Sequence, residues 1–219
     1  MECDLIYPEK LGELFDAPCI VAAVYFDEDE LKRMGVPEDS LEVLDPFWDY
    51  NEFEKPFELW ASPKFLSNYY DRYKTFLQQE YWKEITEEEF LADVSSSLNK
   101  NRKELVEKIE SYDFYSLVEP LDIDEQARRM SDIIKVKIKQ GTIKGHHPFR
   151  FYAIEIEEEK CYLITGATIK VHKDMGKAPN TLIELKKLET AYRVLEAQEV
   201  NTKDTFIDYI KREKDNQQE

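Results

Sequence analysis

Three lysines alternate strictly with apolar residues between Ile134 and Lys139. Because successive side chains of a strand point to opposite faces, Lys135, Lys137 and Lys139 would share one face and leave the other face apolar. A row of ammonium groups can attract phosphate oxygens at short range. The sequence therefore predicts a strand with a cationic face that is suited to a phosphate-bearing ligand.

Two further strand-like segments follow this lysine row, and both are rich in aromatic and β-branched residues. They run from Phe149 to Ile156 and from Cys161 to Ile169, with a short polar turn between them. Three neighbouring strands joined by short turns are typical of an antiparallel meander. The other basic residues of this region are Arg150 on the middle strand, His147 before it, and Lys170, His172 and Lys173 after the third strand.

The meander is a basic island in an acidic protein. The whole chain has a formal net charge of −17, and residues 1–51 alone carry −11. Residues 133–187, in contrast, carry +5. The total charge opposes general binding of nucleic acid, but the island can still attract phosphate locally.

Composition indicates a folded protein with a sizeable core, since 42% of the 219 residues are hydrophobic and 13% are aromatic. No apolar run approaches the roughly 20 residues of a membrane span. The acidic N-terminus lacks the basic start of a secretory signal, so we expect a soluble cytoplasmic protein with no membrane partner. Cys3, Cys19 and Cys161 are odd in number and far apart, which favours reduced thiols over a disulfide framework.

Two helices are predicted before the meander. A short strand is expected from Pro56, and a helix capped by Ser62 with Pro63 at its first position should follow it. The aromatic residues of this helix recur at helical spacing, which is more typical of a buried face than of a base-stacking platform. Thr86 and Glu89 form a capping box for the second helix.

The two ends of the chain also carry recognisable elements. Residues 19–26 form a short apolar run that predicts a buried strand. The acidic residues 27–30 could suggest a divalent metal, but they lack the spacing of a calcium loop, and a solvated acidic face is the better interpretation. After the meander, a helix is predicted from Thr181 with Glu184 in its first turn, and a short last helix should contain Phe206.

This order of elements resembles the RelE/ParE toxin superfamily, and in particular its HigB-type branch. The motifs that carry the resemblance are IKVKIK before a hairpin, HPFRFYAI, LITGATIKVHKDM and the helix after APN. The resemblance implies an α+β fold in which an antiparallel sheet packs against helices, in the order β-α-α-β-β-β-α. Residues 1–51 would be an acidic N-terminal extension packed on a main domain of residues 52–200, with a C-terminal helix and polar tail at 201–219.

The resemblance also implies a toxin that cleaves messenger RNA at the ribosome without a metal or cofactor. The ribose 2′-hydroxyl would attack the neighbouring phosphate, which requires a base, a cation and an acid. By position, Arg150 would clamp the phosphate, His172 or His147 would act as acid or base, and Lys137 would complete the catalytic set. The substrate-binding residues would be Lys135, Lys139, His147, Lys170 and Lys173. The implied partners are RNA or the ribosome and an antitoxin protein, whereas no DNA is expected.

Two departures from the family favour an alternative function. Family toxins are about half this length and are basic, whereas this chain is acidic and carries the segment 1–51 in front of the resemblance. The acidic segment could fold over the lysine row, and the fold could then serve as a non-catalytic interaction protein.

Simpler interpretations compete with both functions. The lysine row could be the solvated face of a half-covered sheet, and Arg150 could pair with a nearby carboxylate. A zinc site built from His146, His147, His172 and Cys161 lacks paired ligand spacing, so we expect no metal.

Overall fold

The computed structural model describes residues 1–38, 49–79, 82, 84–121, 134–140, 147–158, 160–172 and 177–216. The described residues form one six-stranded sheet and six α-helices. The strands are β1 (Cys3–Tyr7), β2 (Ile20–Val24), β3 (Val118–Pro120), β4 (Ile134–Gln140), β5 (Phe149–Glu157) and β6 (Cys161–Ile169). The helices are α1 (Glu28–Arg33), α2 (Lys55–Ala61), α3 (Pro63–Leu77), α4 (Glu87–Glu110), α5 (Pro179–Ala197) and α6 (Lys203–Asn216).

The strands lie in the order β1-β2-β6-β5-β4-β3. The pairs β6–β5, β5–β4 and β4–β3 are antiparallel, which confirms the expected meander. The expectation of a wholly antiparallel sheet was wrong, because β2 pairs with β6 in parallel. The protein is therefore α+β with a mixed sheet, and the segment expected to be an extension supplies two strands, β1 and β2, to this same sheet.

Helices cover both faces of the sheet, because alternate residues of the central strands are buried on opposite sides. In β4 and β5, Val136, Ile138, Phe149 and Phe151 belong to a first core formed with α2, α3 and α4. The intervening residues of β5, together with parts of β2 and β6, belong to a second core formed with α1, α5 and α6. This burial on both faces explains why β5 and β6 consist of nearly continuous apolar residues.

The first core confirms the predicted helices before the meander. Ser62 caps α3 by accepting a hydrogen bond from the Phe65 amide at 3.3 Å, and Pro63 opens the helix. The Thr86–Glu89 capping box is present at the start of α4. The aromatic stripe of α3 lines the first core, so it is packing surface and not a base-stacking platform.

The predicted strand after Pro56 is instead the short helix α2. The Asn51 side chain accepts hydrogen bonds from the amides of Phe53 and Glu54, at 3.0 Å each, and this turn leads the chain into the helix. Pro56 lies in the first turn, where its missing amide hydrogen costs nothing. A short segment of mostly apolar residues does not distinguish a buried helix from a strand, which is why the sequence was misleading here.

Every helix in these described ranges is too short or too polar to span a bilayer.

Candidate functional site

The lysine row lies on the second-core face of the sheet, and acidic side chains contact Lys135 and Lys139. Lys135 forms an ion pair with Glu189 of α5 and lies 4.4 Å from the centre of the Tyr192 ring. Lys139 forms an ion pair of 2.5 Å with Glu119 of β3. Lys137 lies directly opposite Tyr152 in the β4–β5 register. The predicted cationic face is therefore partly neutralised by acids from α5 and β3.

Arg150 is buried, with 5% of its surface exposed. Its Nη1 donates hydrogen bonds to the backbone carbonyls of His147 and Phe149, the latter at 3.0 Å. In the sheet register Arg150 is opposite Lys139 on one side and Thr168 on the other. The guanidinium is thus held at the sheet end where β5 begins, by groups of the chain itself.

The residues after β6 lie at the same end of the sheet, but His172 contacts the other helical layer. The Lys170 amide donates to the Pro148 carbonyl at 2.7 Å, which joins the ends of β5 and β6. His172 packs edge-on against Phe76 of α3, with ring centres 6.0 Å apart. Lys137 and Arg150 alternate with first-core residues and so lie on the face of the sheet that packs against α5, whereas His172 contacts α3 on the other face.

Some predicted residues are placed differently or lie outside the described ranges. His147 is exposed, just before β5. Lys173 and His146 lie outside the described residues. Cys161 begins β6 and His172 follows its end, roughly 30 Å apart along an extended strand, so the two cannot share one zinc ion. The described residues contain no group of three or more His, Cys, Asp or Glu side chains that could hold a metal.

The described part of the acidic segment contains two strands of the sheet and helix α1. Its strands β1 and β2 form the opposite side of the sheet, separated from β4 by β6 and β5. That this segment covers the basic face stays a prediction, and its residues 39–48 lie outside the description.

A second group of charged residues, which the sequence did not single out, is buried where β2 ends. We call it the charge cluster: Glu52, Lys55, Glu184 and Lys187, each no more than 6% exposed. The Glu52 carboxylate accepts from Lys55 at 2.7 Å and from Lys187 at 2.8 Å. Lys187 also pairs with Glu184 at 3.2 Å. The cluster therefore links α2 of one helical layer to α5 of the other.

The β strands create the space that the cluster occupies. β2 pairs with β6 only as far as Ile164, and the Val24 carbonyl at the end of β2 then accepts from the Glu52 amide at 2.9 Å. The residues of β6 after Ile164 are not paired with β2, so the helices can approach this edge of the strand. A Cβ at Gly166 of β6 would lie 1.8 Å from Glu184 Oε2, so only glycine leaves room for that carboxylate.

Burial and charge act in opposite directions on the pKa values of the cluster. Burial raises the pKa of Glu184 to about 7, and Lys187 only partly offsets this effect. Burial alone would also raise the pKa of Glu52, but Lys187 and Lys55 outweigh it and hold that pKa below its ordinary value. The pKa of Lys187 is raised because its two carboxylate partners outweigh its burial.

A buried hydrogen-bond network borders the cluster at the start of α5. Asn180 Nδ2 lies 2.6 Å from the Tyr69 hydroxyl, 2.9 Å from Thr168 Oγ1 and 2.8 Å from the Ile169 carbonyl. Tyr69 donates to the same carbonyl at 2.5 Å. The sequence predicted that this helix begins at Thr181, whereas α5 begins at Pro179 and the Asn180 side chain connects it to β6.

A cavity of about 130 Å³ lies between the cluster and this network. Two of its lining residues carry buried acceptor atoms, Glu184 Oε2 and Asn180 Oδ1, that have no hydrogen-bond partner among the described residues. The cavity lining comprises Glu52, Lys55, Glu184, Lys187, Arg72, Asn68, Asn180 and Thr168, with apolar and aromatic walls from Leu31, Val36, Pro56, Leu59, Trp60, Phe65, Tyr69, Tyr73, Ala167 and Ile183.

Comparison of the chain with protein-family models, with curated proteins and with solved structures found no match. The resemblance to RelE and HigB toxins therefore stays a prediction from the motifs.

Proposed function

We propose that the protein is a RelE/HigB-like interaction protein that binds a partner protein and does not cleave RNA. The observation that carries the proposal is the position of Arg150. A phosphate clamp must present its donors to the ligand, whereas Arg150 is 5% exposed and its guanidinium donates to two backbone carbonyls. Binding phosphate there would require the chain to give up those bonds.

The charge distribution supports a protein partner. Lys135 and Lys139 already have acidic partners within the chain, so less positive charge is left for an RNA backbone. The net charge of −17 repels polyanions at long range and attracts proteins with a basic surface. An antitoxin-type protein with such a surface is the partner that we propose.

An RNA-cleaving toxin is the second candidate, because one feature of the sheet favours it. Lys139 stands directly opposite Arg150, and the exposed His147 precedes the same strand. A cation, a guanidinium and a titratable imidazole are the groups that metal-independent cleavage of a phosphodiester requires. This candidate needs Arg150 to turn outward when RNA binds.

Induced expression separates the two functions. The interaction protein leaves growth and messenger RNA intact, both for the wild type and for Arg150→Ala. Growth arrest with RNA cleavage that Arg150→Ala abolishes would instead establish the toxin. Because Arg150 is buried, circular dichroism must show that the variant is folded, and Lys137→Ala provides a second test at a half-buried position.

The partner is tested by co-expression with the products of adjacent genes. We expect a stable complex with one of them on size-exclusion chromatography, weakened by added salt because the attraction is electrostatic. Absence of any complex, together with RNA cleavage by the purified chain, would refute the proposal.

A further inference from the structure

Exposed aromatic side chains gather at the end of the sheet where β1 ends. Tyr7 is the last residue of β1, and the Tyr112 ring packs edge-on against it with ring centres 5.5 Å apart. Tyr115 follows in a short 3-10 helix, and both Tyr112 and Tyr115 are exposed. Phe114, between them, is buried against Tyr162 at the start of β6, which fixes this segment on the sheet. We call Tyr7, Tyr112 and Tyr115 the tyrosine surface.

The loop between β1 and β2 adds further apolar side chains at this end. Because β1 and β2 are antiparallel neighbours, the loop of residues 8–19 begins beside Tyr7 and lies at the same end of the sheet. It exposes Leu11 and Phe15. Four of the six exposed large hydrophobic side chains in the described part of the chain are thus found here. Single exposed apolar residues are ordinary, whereas such a concentration marks an interaction surface.

Tyr112 occupies a backbone position that ordinarily belongs to glycine. Helix α4 ends in a Schellman motif, in which the Asp113 amide donates to the Lys108 carbonyl at 2.9 Å and the Tyr112 amide donates to the Ile109 carbonyl at 3.2 Å. The φ of Tyr112 is 60°, in the left-handed region where a bulky side chain is strained. Strained residues concentrate at functional sites, so the strain supports a use of the exposed ring that glycine could not serve.

Acidic side chains surround the tyrosine surface. Three glutamates and one lysine line a groove at the end of α4, directly before Tyr112: Glu104, Glu107, Glu110 and Lys108. The loop of residues 8–19 likewise carries three acids and one lysine. This charge attracts a basic partner and repels an acidic one. The lysine or arginine of such a partner can also contact the faces of exposed tyrosine rings.

We propose that the tyrosine surface binds a basic protein segment that carries large apolar side chains. The apolar side chains pack on the rings, and the basic ones face the surrounding acids. Tyrosine is enriched in protein interfaces, where a few aromatic anchors supply most of the binding free energy. A second copy of the chain is a less suitable occupant, because both copies would carry a net charge of −17.

This inference rests on the proposed function, because it assigns a surface to the basic partner. The surface is separate from the predicted RNA site. Strand β6 begins beside the tyrosine surface, and its residue Thr168, near the other end of the strand, is opposite Arg150. A partner could therefore bind here without contact to Arg150.

The chemistry of the partner is tested on the intact chain with three synthetic peptides of equal length. The first is an amphipathic helix of lysine and leucine, the second has glutamate in place of lysine, and the third has serine in place of leucine. Binding is followed by backbone amide shifts in two-dimensional NMR titrations. We expect saturable shifts around Tyr112 and Tyr115 with the first peptide, and roughly tenfold or weaker binding of the other two.

Tyr112→Gly separates a binding role of the ring from a structural role. Glycine relieves the left-handed strain, so the variant should unfold at a urea concentration no lower than the wild type. The loss of the ring should weaken binding of the lysine–leucine peptide by roughly tenfold. Tyr115→Ser, outside the strained position, should also weaken binding and provides a second variant.

The matched control is Glu199→Gly. Glu199 has a φ of 56° and holds the same place in the Schellman motif that ends α5, where the Val200 amide donates to the Leu195 carbonyl at 2.9 Å. Glycine should relieve the same strain there, so this variant should unfold at a higher urea concentration and bind the peptide like the wild type.

Three results would overturn the inference. Equal binding of the three peptides would show that neither charge nor apolar contact selects the partner. Peptide shifts confined to other parts of the chain would place the binding surface elsewhere. Unchanged peptide binding by both Tyr112→Gly and Tyr115→Ser would show that the rings only pack against the protein itself.

Co-expression distinguishes a failure of this inference from a failure of the proposed function. A partner complex that forms equally well with the wild type, Tyr112→Gly and Tyr115→Ser would refute the tyrosine surface and leave the proposed function intact. RNA cleavage without any partner complex would refute the proposed function, whatever the peptides show. A complex that both tyrosine substitutions weaken and Glu199→Gly leaves unchanged supports both.

Discussion

The β4 lysine face and the charge cluster use the same two residue types, lysine and glutamate, in different surroundings. At the β4 face, the side chains of Lys139 and Glu119 are 35% and 46% exposed. In the cluster, those of Lys55 and Glu52 are 3% and 2% exposed. Solvent screens the first pair but cannot reach the second. The free energy of unfolding that is lost when an ion pair is broken should therefore depend on the burial of the pair and not on its sequence pattern.

The largest loss of unfolding free energy should follow the removal of one partner of a buried ion pair. Glu52→Gln leaves Lys55 and Lys187 with Glu184 as their only carboxylate in the cluster. Removing one partner of a buried pair typically costs about 3–5 kcal/mol, because the remaining charge is uncompensated. Urea unfolding measures this loss.

The control for Glu52→Gln lies on α2, the helix that begins three residues after Glu52. Glu58→Gln breaks a pair with Arg102 of 3.6 Å in which both side chains are more than a third exposed, and it should cost less than about 1 kcal/mol. Equal losses of unfolding free energy for the two substitutions would show that burial does not determine the cost of breaking an ion pair in this protein.

The second prediction concerns pH. In the folded chain Glu184 keeps its proton up to a pKa of about 7, whereas its ordinary pKa is 4.5. The folded state therefore binds more protons than the unfolded state between these values, and its stability falls as pH rises through this window. The slope is at most about 1.4 kcal/mol per pH unit.

Other members of the cluster titrate outside this window. The lowered pKa of Glu52 makes stability fall only as pH drops below the ordinary range of a carboxyl, and the raised pKa of Lys187 acts in alkaline solution. Unfolding free energies of the wild type and Glu184→Gln, measured from pH 4.5 to 7.5, should therefore differ in slope. Parallel curves would contradict the assignment to Glu184.

The third prediction tests how closely the sheet and the cluster fit together. Gly166→Ala places a Cβ 1.8 Å from Glu184 Oε2 and 3.3 Å from Lys187 Cδ. The Glu184 carboxylate must move from its position beside Gly166, and overpacking of this kind lowers the unfolding free energy by about 1–3 kcal/mol. Gly12→Ala, where nothing lies within 4 Å of the added Cβ, should cost less. A neutral Gly166→Ala would show that the carboxylate has room elsewhere.

These two regions also show how far the sequence could predict the structure. Strict alternation predicted β4, and β-branched and aromatic runs predicted β5 and β6 nearly to the residue. Capping residues predicted where α3 and α4 begin. The parallel pairing of β2 with β6 could not be predicted, because it joins strands far apart in the chain and leaves no local pattern.

The charge cluster was missed for a related reason. Lys55 follows Glu52 by three residues, and Lys187 follows Glu184 by the same spacing. On a helix this spacing is the ordinary signature of an exposed ion pair. The two pairs come together inside the protein because β2 ends beside them and Gly166 of β6 leaves room for Glu184. These contacts join residues far apart in the chain, so no local sequence pattern predicts them.

The smallest expected effect is at the β4 face. Glu189→Gln removes the partner of Lys135, whose side chain is 19% exposed while that of Glu189 is 43% exposed. Lys135 keeps its contact with the Tyr192 ring, and water solvates the ammonium group. A double-mutant cycle with Lys135→Ala should give a coupling of about 0.2–1 kcal/mol that weakens in high salt. A coupling of about 3 kcal/mol that salt leaves unchanged would mean that this pair behaves as a buried one, and the β4 face would then belong with the charge cluster as part of the core rather than as a surface for recognition.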